Sequence, residues 1–453
     1  MKIPRRTFLH QSLCAALGVP AITSAVGDFT RVAAAVPHIN DYKALVCLFL
    51  YGGNDGDNCL IPRSPSEYKT YAVQRGALAL PHSQLLPLTL GNGDGREYGL
   101  TPHWPELHGL FQQKKLALLA NVGPLVEPTT RAMYVAKRAR LPRNLFSHSD
   151  QQVVWSNGRP DDLATGTGWG GRVADLMNSV NANAQISMSV SVSGANVFQV
   201  GNSVVQYQMS PTSGSIGLVN IRPGANPDPL SRAFRELLEQ ERPGLFEAEY
   251  ARVMNRAIKS DQVVKAALAN VNVKTPFPTG NLSLQLKMIA RMIAARSALG
   301  LKRQIFFCSL GSFDTHGDQV TEHPPLLREI SQALHAFYSA TVELGVASNV
   351  TTFTMSDFGR TFRSNGKGSD HGWGGHHLIL GDAVKGGELF GHFPTQVING
   401  PDDTEFGRWI PTTACDQYAA TLALWFGVAP SEFVTVMPNI GRFATPDLGF
   451  MLF

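Results

Sequence analysis

Five apolar runs of strand length recur along this chain: 44–51, 116–122, 304–310, 350–355 and 378–380. Runs without polar alternation suit strands buried on both faces, hence a parallel sheet covered by helices. A sixth segment, 188–192, alternates small polar and apolar residues and predicts another strand. Helical spacing appears between them, over 231–240, 247–259, 282–301 and 416–426. In the third of these, Leu286, Ile289, Ile293 and Leu299 fall on or near one face. Strands alternating with helices predict an α/β fold with a central, mostly parallel, doubly wound sheet. Residues 196–226 are rich in Gly, Ser, Asn and Pro and read as long connections over the active face, and 228–301 as a helical cap inserted between strands.

At 453 residues, 43% hydrophobic and 16% charged, the chain can bury a large core and is not broadly disordered. The net charge of +4 comes with no Lys/Arg run, which excludes a nucleic-acid footprint. No apolar stretch reaches membrane-spanning length. None of the five cysteines forms a C-x-x-C pair, so a zinc knuckle or redox motif is unsupported. Cys47 and Cys308 sit inside apolar runs and read as small buried hydrophobes.

Chemistry-bearing residues cluster where the apolar runs end or begin. After the first run comes Gly52-Gly53-Asn54-Asp55-Gly56-Asp57, two carboxylates on a turn-rich loop that is either a hard-oxygen metal site or a simple turn. The run at 304–310 delivers Asp314 and His316, two apart, a workable chelate for zinc or manganese. Asp357 follows the next run, with Arg360 nearby to clamp an anionic oxygen. Asp370, His371, His376 and His377 are spaced by glycines ahead of the last run, which suits metal binding or acid–base work. Finally, Ser147, His148 and Ser149 stand at the start of a helix-like stretch, where unpaired N–H groups favour a nucleophile or an anion.

Together these motifs resemble the twin-arginine-exported bacterial family catalogued as domain of unknown function 1501. The match includes Ser147-His148, Thr167-Gly168-Trp169-Gly170-Gly171-Arg172, Phe313-Asp314-Thr315-His316, Ser356-Asp357-Phe358-Gly359-Arg360-Thr361 and Asp370-His371-Gly372-Trp373-Gly374-Gly375-His376-His377. Arg5-Arg6-Thr7-Phe8-Leu9-His10 resembles the twin-arginine motif itself. It implies an export leader over 1–35, passage through the twin-arginine machinery and a periplasmic or secreted location, with a single α/β domain over 36–453.

That family is grouped with the alkaline phosphatase and sulfatase superfamily, and the resemblance implies an alkaline phosphatase-like fold with two divalent ions, of zinc, manganese, magnesium or calcium. It assigns metal binding to Asp55 (or Asn54 or Asp57), Asp314, His316, Asp357 and His371. Phe358 stands where the superfamily has a further histidine, leaving Asp370 or His376 to replace it. The nucleophile position falls on His148, beside Ser149 and Ser147, and Arg360 is expected to hold a substrate oxygen. The resulting expectation is an exported metal-dependent hydrolase acting on a small phosphate or sulfate ester. The alternative is an exported metal-binding scaffold without turnover.

Overall fold

The computed structural model describes residues 41–163, 166–214, 229–240 and 244–453, so the leader expected over 1–35 lies outside the described residues. Twelve strands follow in chain order: β1 (Lys43–Leu50), β2 (Leu60–Pro62), β3 (Leu86–Pro87), β4 (Tyr98–Leu100), β5 (Leu116–Gly123), β6 (Ser189–Ser191), β7 (Tyr207–Gln208), β8 (Arg303–Leu310), β9 (Val350–Ser356), β10 (Gly375–Leu380), β11 (Leu389–Gly391) and β12 (Thr413–Ala414). Nine of them form one sheet in the order β11-β5-β10-β9-β1-β8-β6-β7, with β12 also paired to β5. The three short strands β2, β4 and β3 form a separate antiparallel sheet.

In the large sheet β1 lies at the centre, parallel to β8 and β9 in unbroken register from Ala44 to Leu50. Every side chain from Ala44 to Leu50 is buried, as expected for a strand covered on both faces. Only β10 runs against its neighbours, antiparallel to both β5 and β9. This reversal decides the geometry of the site. Residues that follow β1, β8 and β9 and residues that precede β10 all emerge at the same rim, the one where ligands of open α/β sheets bind.

Helices cover both faces. Pro105–Gln112, Asn281–Ala294 and Gln319–Glu343 pack together on one side, while His148–Asn157, Trp169–Met177 and Cys415–Phe426 lie on the other. The expected cap over 228–301 divides. Pro229–Glu239 and Leu245–Leu268 pack on each other, whereas Asn281–Ala294 buries Leu286, Ile289 and Ile293 against β8 and the long helix and belongs to the sheet-covering layer. Cys47, Cys59, Cys308 and Cys415 are all buried free thiols. No helix among the described residues is long and apolar enough to cross a membrane.

Candidate metal centre

Asp314 stands at the middle of a converging set of imidazoles. It lies on the loop after β8, which Ser312 enters in the left-handed region at φ +74. Its Oδ1 is 3.0 Å from His316 Nε2 and 3.3 Å from His371 Nε2, and its Oδ2 is 3.3 Å from His148 Nε2. The two nearer histidines also meet, with His316 Nε2 2.9 Å from His371 Nε2.

Each imidazole is anchored through its other nitrogen. His148 Nδ1 donates to Asp357 Oδ2 at 2.6 Å, His316 Nδ1 to Asp370 Oδ1 at 2.9 Å, and His371 Nδ1 to the Phe146 carbonyl at 2.8 Å. A ring that gives its Nδ1 proton to an oxygen leaves Nε2 with a lone pair, and that pairing fixes the tautomer a metal ligand requires. The anchors are themselves held. Asp357 is fully buried and also accepts from the Gly52 amide at 3.1 Å and Gln152 Nε2 at 3.0 Å. Phe146 presents its carbonyl from a left-handed backbone at φ +81, a conformation that costs energy for a bulky residue.

The elements deliver these groups for local reasons. The helix His148–Asn157 starts behind Ser147 in extended backbone and stops at Gly158, left-handed at φ +61. His148 is its first residue, and Gln152 sits one turn on, so both reach Asp357 from the same helix face. Gly52, at φ +114, lets the loop after β1 pass against Asp314: a Cβ there would lie 2.4 Å from the Asp314 amide nitrogen.

Electrostatics favour an ionised Asp314 beside a neutral His371. Burial opposes ionisation of Asp314, but the Arg360 hydrogen bond and charge outweigh it and hold the carboxyl below its usual range. Burial lowers the His371 pKa, only partly offset by the Phe146 carbonyl. His148 Nε2 is buried and has no hydrogen-bond partner among the described residues. A buried lone pair without a donor is costly unless something fills the place it faces. His148, Asp314 and His371 each offer a ligand atom within 4.8 Å of the others, and His316 adjoins them, so the residues present fit one divalent cation held by nitrogen and oxygen.

The remaining residues expected at this site are placed differently. Asp55 is buried in contact with Arg75 and with the Gln319 amide, and Asp57 accepts from Gln396 Nε2 at 2.8 Å and Trp409 Nε1 at 3.1 Å. Burial, then repulsion from Asp55, pushes the Asp57 carboxyl up to about 7. Both carboxylates are committed to packing the β1 loop. His376 and His377 are the second and third residues of β10, where the register against β5 is irregular, and they turn to different partners. His376 accepts from the Asn121 amide at 3.1 Å and stacks on Phe393, while His377 lies against Trp155, so neither joins the cluster. Asp357 and Asp370 act through His148 and His316. Ser149 is exposed, with its hydroxyl 3.4 Å from that of Ser147.

Arg360, expected to clamp substrate, is 1% exposed. It donates to Asp314 Oδ1 at 2.7 Å, to the Gly52 carbonyl at 3.2 Å and to the Ser369 carbonyl. Its Nη donors therefore tie three loops together and present no free fork. Gln152 and Phe146 were not singled out in the sequence. The spacing of Gln152 one turn after His148 is the only signal for it, and a backbone carbonyl such as that of Phe146 leaves none.

The family described as "Protein of unknown function (DUF1501)" matches residues 42–400. No curated protein matches the sequence. Among solved structures, this chain is similar to a sulfatase from Pseudoalteromonas sp. (10% identity, 91% of this chain and 73% of that one, TM-score 0.36). It is likewise similar to a lipoteichoic acid synthase from Listeria monocytogenes (7%, 87% and 74%, TM-score 0.37) and to a phosphonate monoester hydrolase of Agrobacterium radiobacter (9%, 86% and 74%, TM-score 0.31). Similarity at these scores is too low to carry an argument about mechanism.

Proposed function

Since the chain belongs to the DUF1501 family, whose description carries no chemistry, we propose from its own residues that it is an exported metal-dependent hydrolase of phosphate or sulfate esters. The observation that carries this reading is the convergence of three Nδ1-anchored imidazoles on Asp314. His148, Asp314, His316 and His371 would hold one divalent cation, which supplies Lewis-acid charge to an anionic ester. The residues expected for a second ion, Asp55, Asp57 and His376, have other partners, so the proposal is for one ion.

The chain's own groups do the positioning. Asp357 and Asp370 keep the Nε2 lone pairs of His148 and His316 aimed inward. Arg360 keeps Asp314 ionised from behind. The Asp314 and His316 side chains are 43% and 44% exposed, so the cluster opens to solvent and a small anionic ester can reach it. Ser149 faces Ser147, which leaves water as the attacking group and needs no covalent intermediate on the protein. The ester class rests on the resemblance of the loop motifs, and export rests on Arg5-Arg6.

A second reading, an exported cation-binding scaffold, is favoured by the commitment of Arg360 and the exposure of Ser149. One experiment separates the two. The purified full chain, loaded in turn with zinc, manganese, magnesium and calcium, is assayed on chromogenic phosphate monoesters, diesters and sulfates. Turnover abolished by Asp314→Asn supports the hydrolase. Tight cation binding with no turnover on any ester selects the scaffold.

A further inference from the structure

Behind the β1 loop, away from the histidine cluster, lies a cavity of about 410 Å³ between the segment 77–81 and the start of the helix Gln319–Glu343. This volume is within the range of small-molecule sites. Leu78, Leu80 and Leu327 supply an apolar floor. At one side stands Arg328, exposed and with no carboxylate at ion-pair distance among the described residues. Its Nη1 donates to His103 Nδ1 at 3.2 Å, so the His103 proton resides on Nε2 and both side chains present donors.

The other polar wall is His323, only 3% exposed. Its Nε2 is 3.0 Å from Asn54 Oδ1 and carries the proton in that bond. The ring is kept neutral by burial, with its pKa lowered to about 4. Nδ1 is therefore an acceptor, and it has no hydrogen-bond partner among the described residues. Donors at one side, an acceptor at another and an apolar floor define a ligand with complementary ends.

We propose that this cavity binds a small carboxylic acid with a flat apolar body and a hydroxyl at its far end, the carboxylate on Arg328 and His103 and the hydroxyl donating to His323 Nδ1. The site is independent of the cation cluster, and its occupancy needs no metal.

The test uses the full chain and 4-hydroxybenzoate as probe, with binding followed by calorimetry and by ligand-observed NMR. Saturable binding at one site is expected, at least tenfold weaker for Arg328→Glu, and weaker for both benzoate and phenol, each of which lacks one end. Ala77→Trp, at the exposed rim, is expected to abolish binding by filling the mouth. Arg328 and Ala77 are both exposed, so neither variant is expected to impair folding. No saturable binding of the probe, or equal binding by Arg328→Glu or Ala77→Trp, overturns the proposal.

Discussion

The Nδ1 of His148 lies 2.6 Å from Oδ2 of Asp357, and this contact determines which face of the imidazole looks toward Asp314. Replacing Asp357 by Asn removes the carboxylate that fixes the tautomer while nearly preserving shape. The expected outcome is a cation affinity lower by about 10–100-fold, the usual cost of losing an outer partner of a ligating histidine. Competition against a chelator measures it. Affinity unchanged in Asp357→Asn would remove His148 from the ligand set.

Asp314→Asn and His371→Ala should each lower cation stoichiometry sharply, read by elemental analysis of the purified protein. Ser149→Ala should leave both stoichiometry and any turnover unchanged, because its hydroxyl meets Ser147 and not the cluster. A Ser149→Ala variant that binds its cation normally but loses turnover would restore the serine as nucleophile.

Arg360→Ala should act on folding more than on substrate affinity. It leaves the Gly52 and Ser369 carbonyls and Asp314 without their shared donor. A loss of roughly 3 kcal/mol is expected, toward the low end for a broken buried ion pair because Asp314 keeps water on one side. Urea unfolding reads this directly. Wild-type stability with only a raised KM would return Arg360 to the role of substrate clamp.

Gly52→Ala tests how tightly the β1 loop is laid against Asp314. The added methyl would meet the Asp314 amide nitrogen at 2.4 Å, in a backbone conformation side chains rarely adopt. Reduced cation stoichiometry is expected together with a stability loss of about 1 kcal/mol or more. Full stoichiometry in this variant would show that the loop can shift without moving Asp314.

Acid should destabilise the fold through two buried imidazoles outside the cluster. Burial lowers the His323 pKa to about 4 and that of His377 to about 3. Below the unfolded value near 6.5 the unfolded chain binds protons that these rings refuse, so their contribution is lost as pH falls from about 6.5 toward 3. Asp57 and Asp416, both raised to about 7 by burial, act in the opposite sense, losing stability as pH rises from about 4 to 7. NMR titration checks the assignment: an imidazole of His323 or His377 titrating above pH 6 would contradict it.

The hydrophobic pattern made the sheet readable. The central strands β1, β5, β8 and β9 are buried almost throughout, and β1 and β5 carry the most continuous apolar runs among them. The helix Gln319–Glu343 was not anticipated, because Pro324 and Pro325 sit inside it. They are its sixth and seventh residues, past the first turn, and each withdraws an amide donor from the helix ladder, the pattern that ordinarily breaks a helix. The edge pieces β7, β11 and β12 are two or three residues long and have no periodicity to read.

At the candidate site, Asp314, His316 and His371 stand out in the sequence because their residue types are costly on a loop unless used. Asp55, Asp57 and His376 stand apart from the cluster for one physical reason. A sequence shows which groups are near a strand end but not which partner reaches them first. Arg75, Trp409 and Phe393 come from distant segments and claim these groups for packing. Arg360 is claimed in the same way, by the Gly52 and Ser369 carbonyls and the Asp314 carboxylate, and the two carbonyls leave no trace in the sequence.

The reversed course of β10 also sets an order of events during synthesis. The cluster draws on positions 148, 314, 316 and 371, and the last of these sits ahead of a strand that must wedge between β5 and β9. A chain leaving the ribosome from its N-terminus, domains folding as they emerge, cannot assemble this cluster until more than four-fifths of it has been made. Incomplete chains therefore carry scattered histidines with no common focus, and any cation capture at this cluster would have to wait for the segment that carries His371.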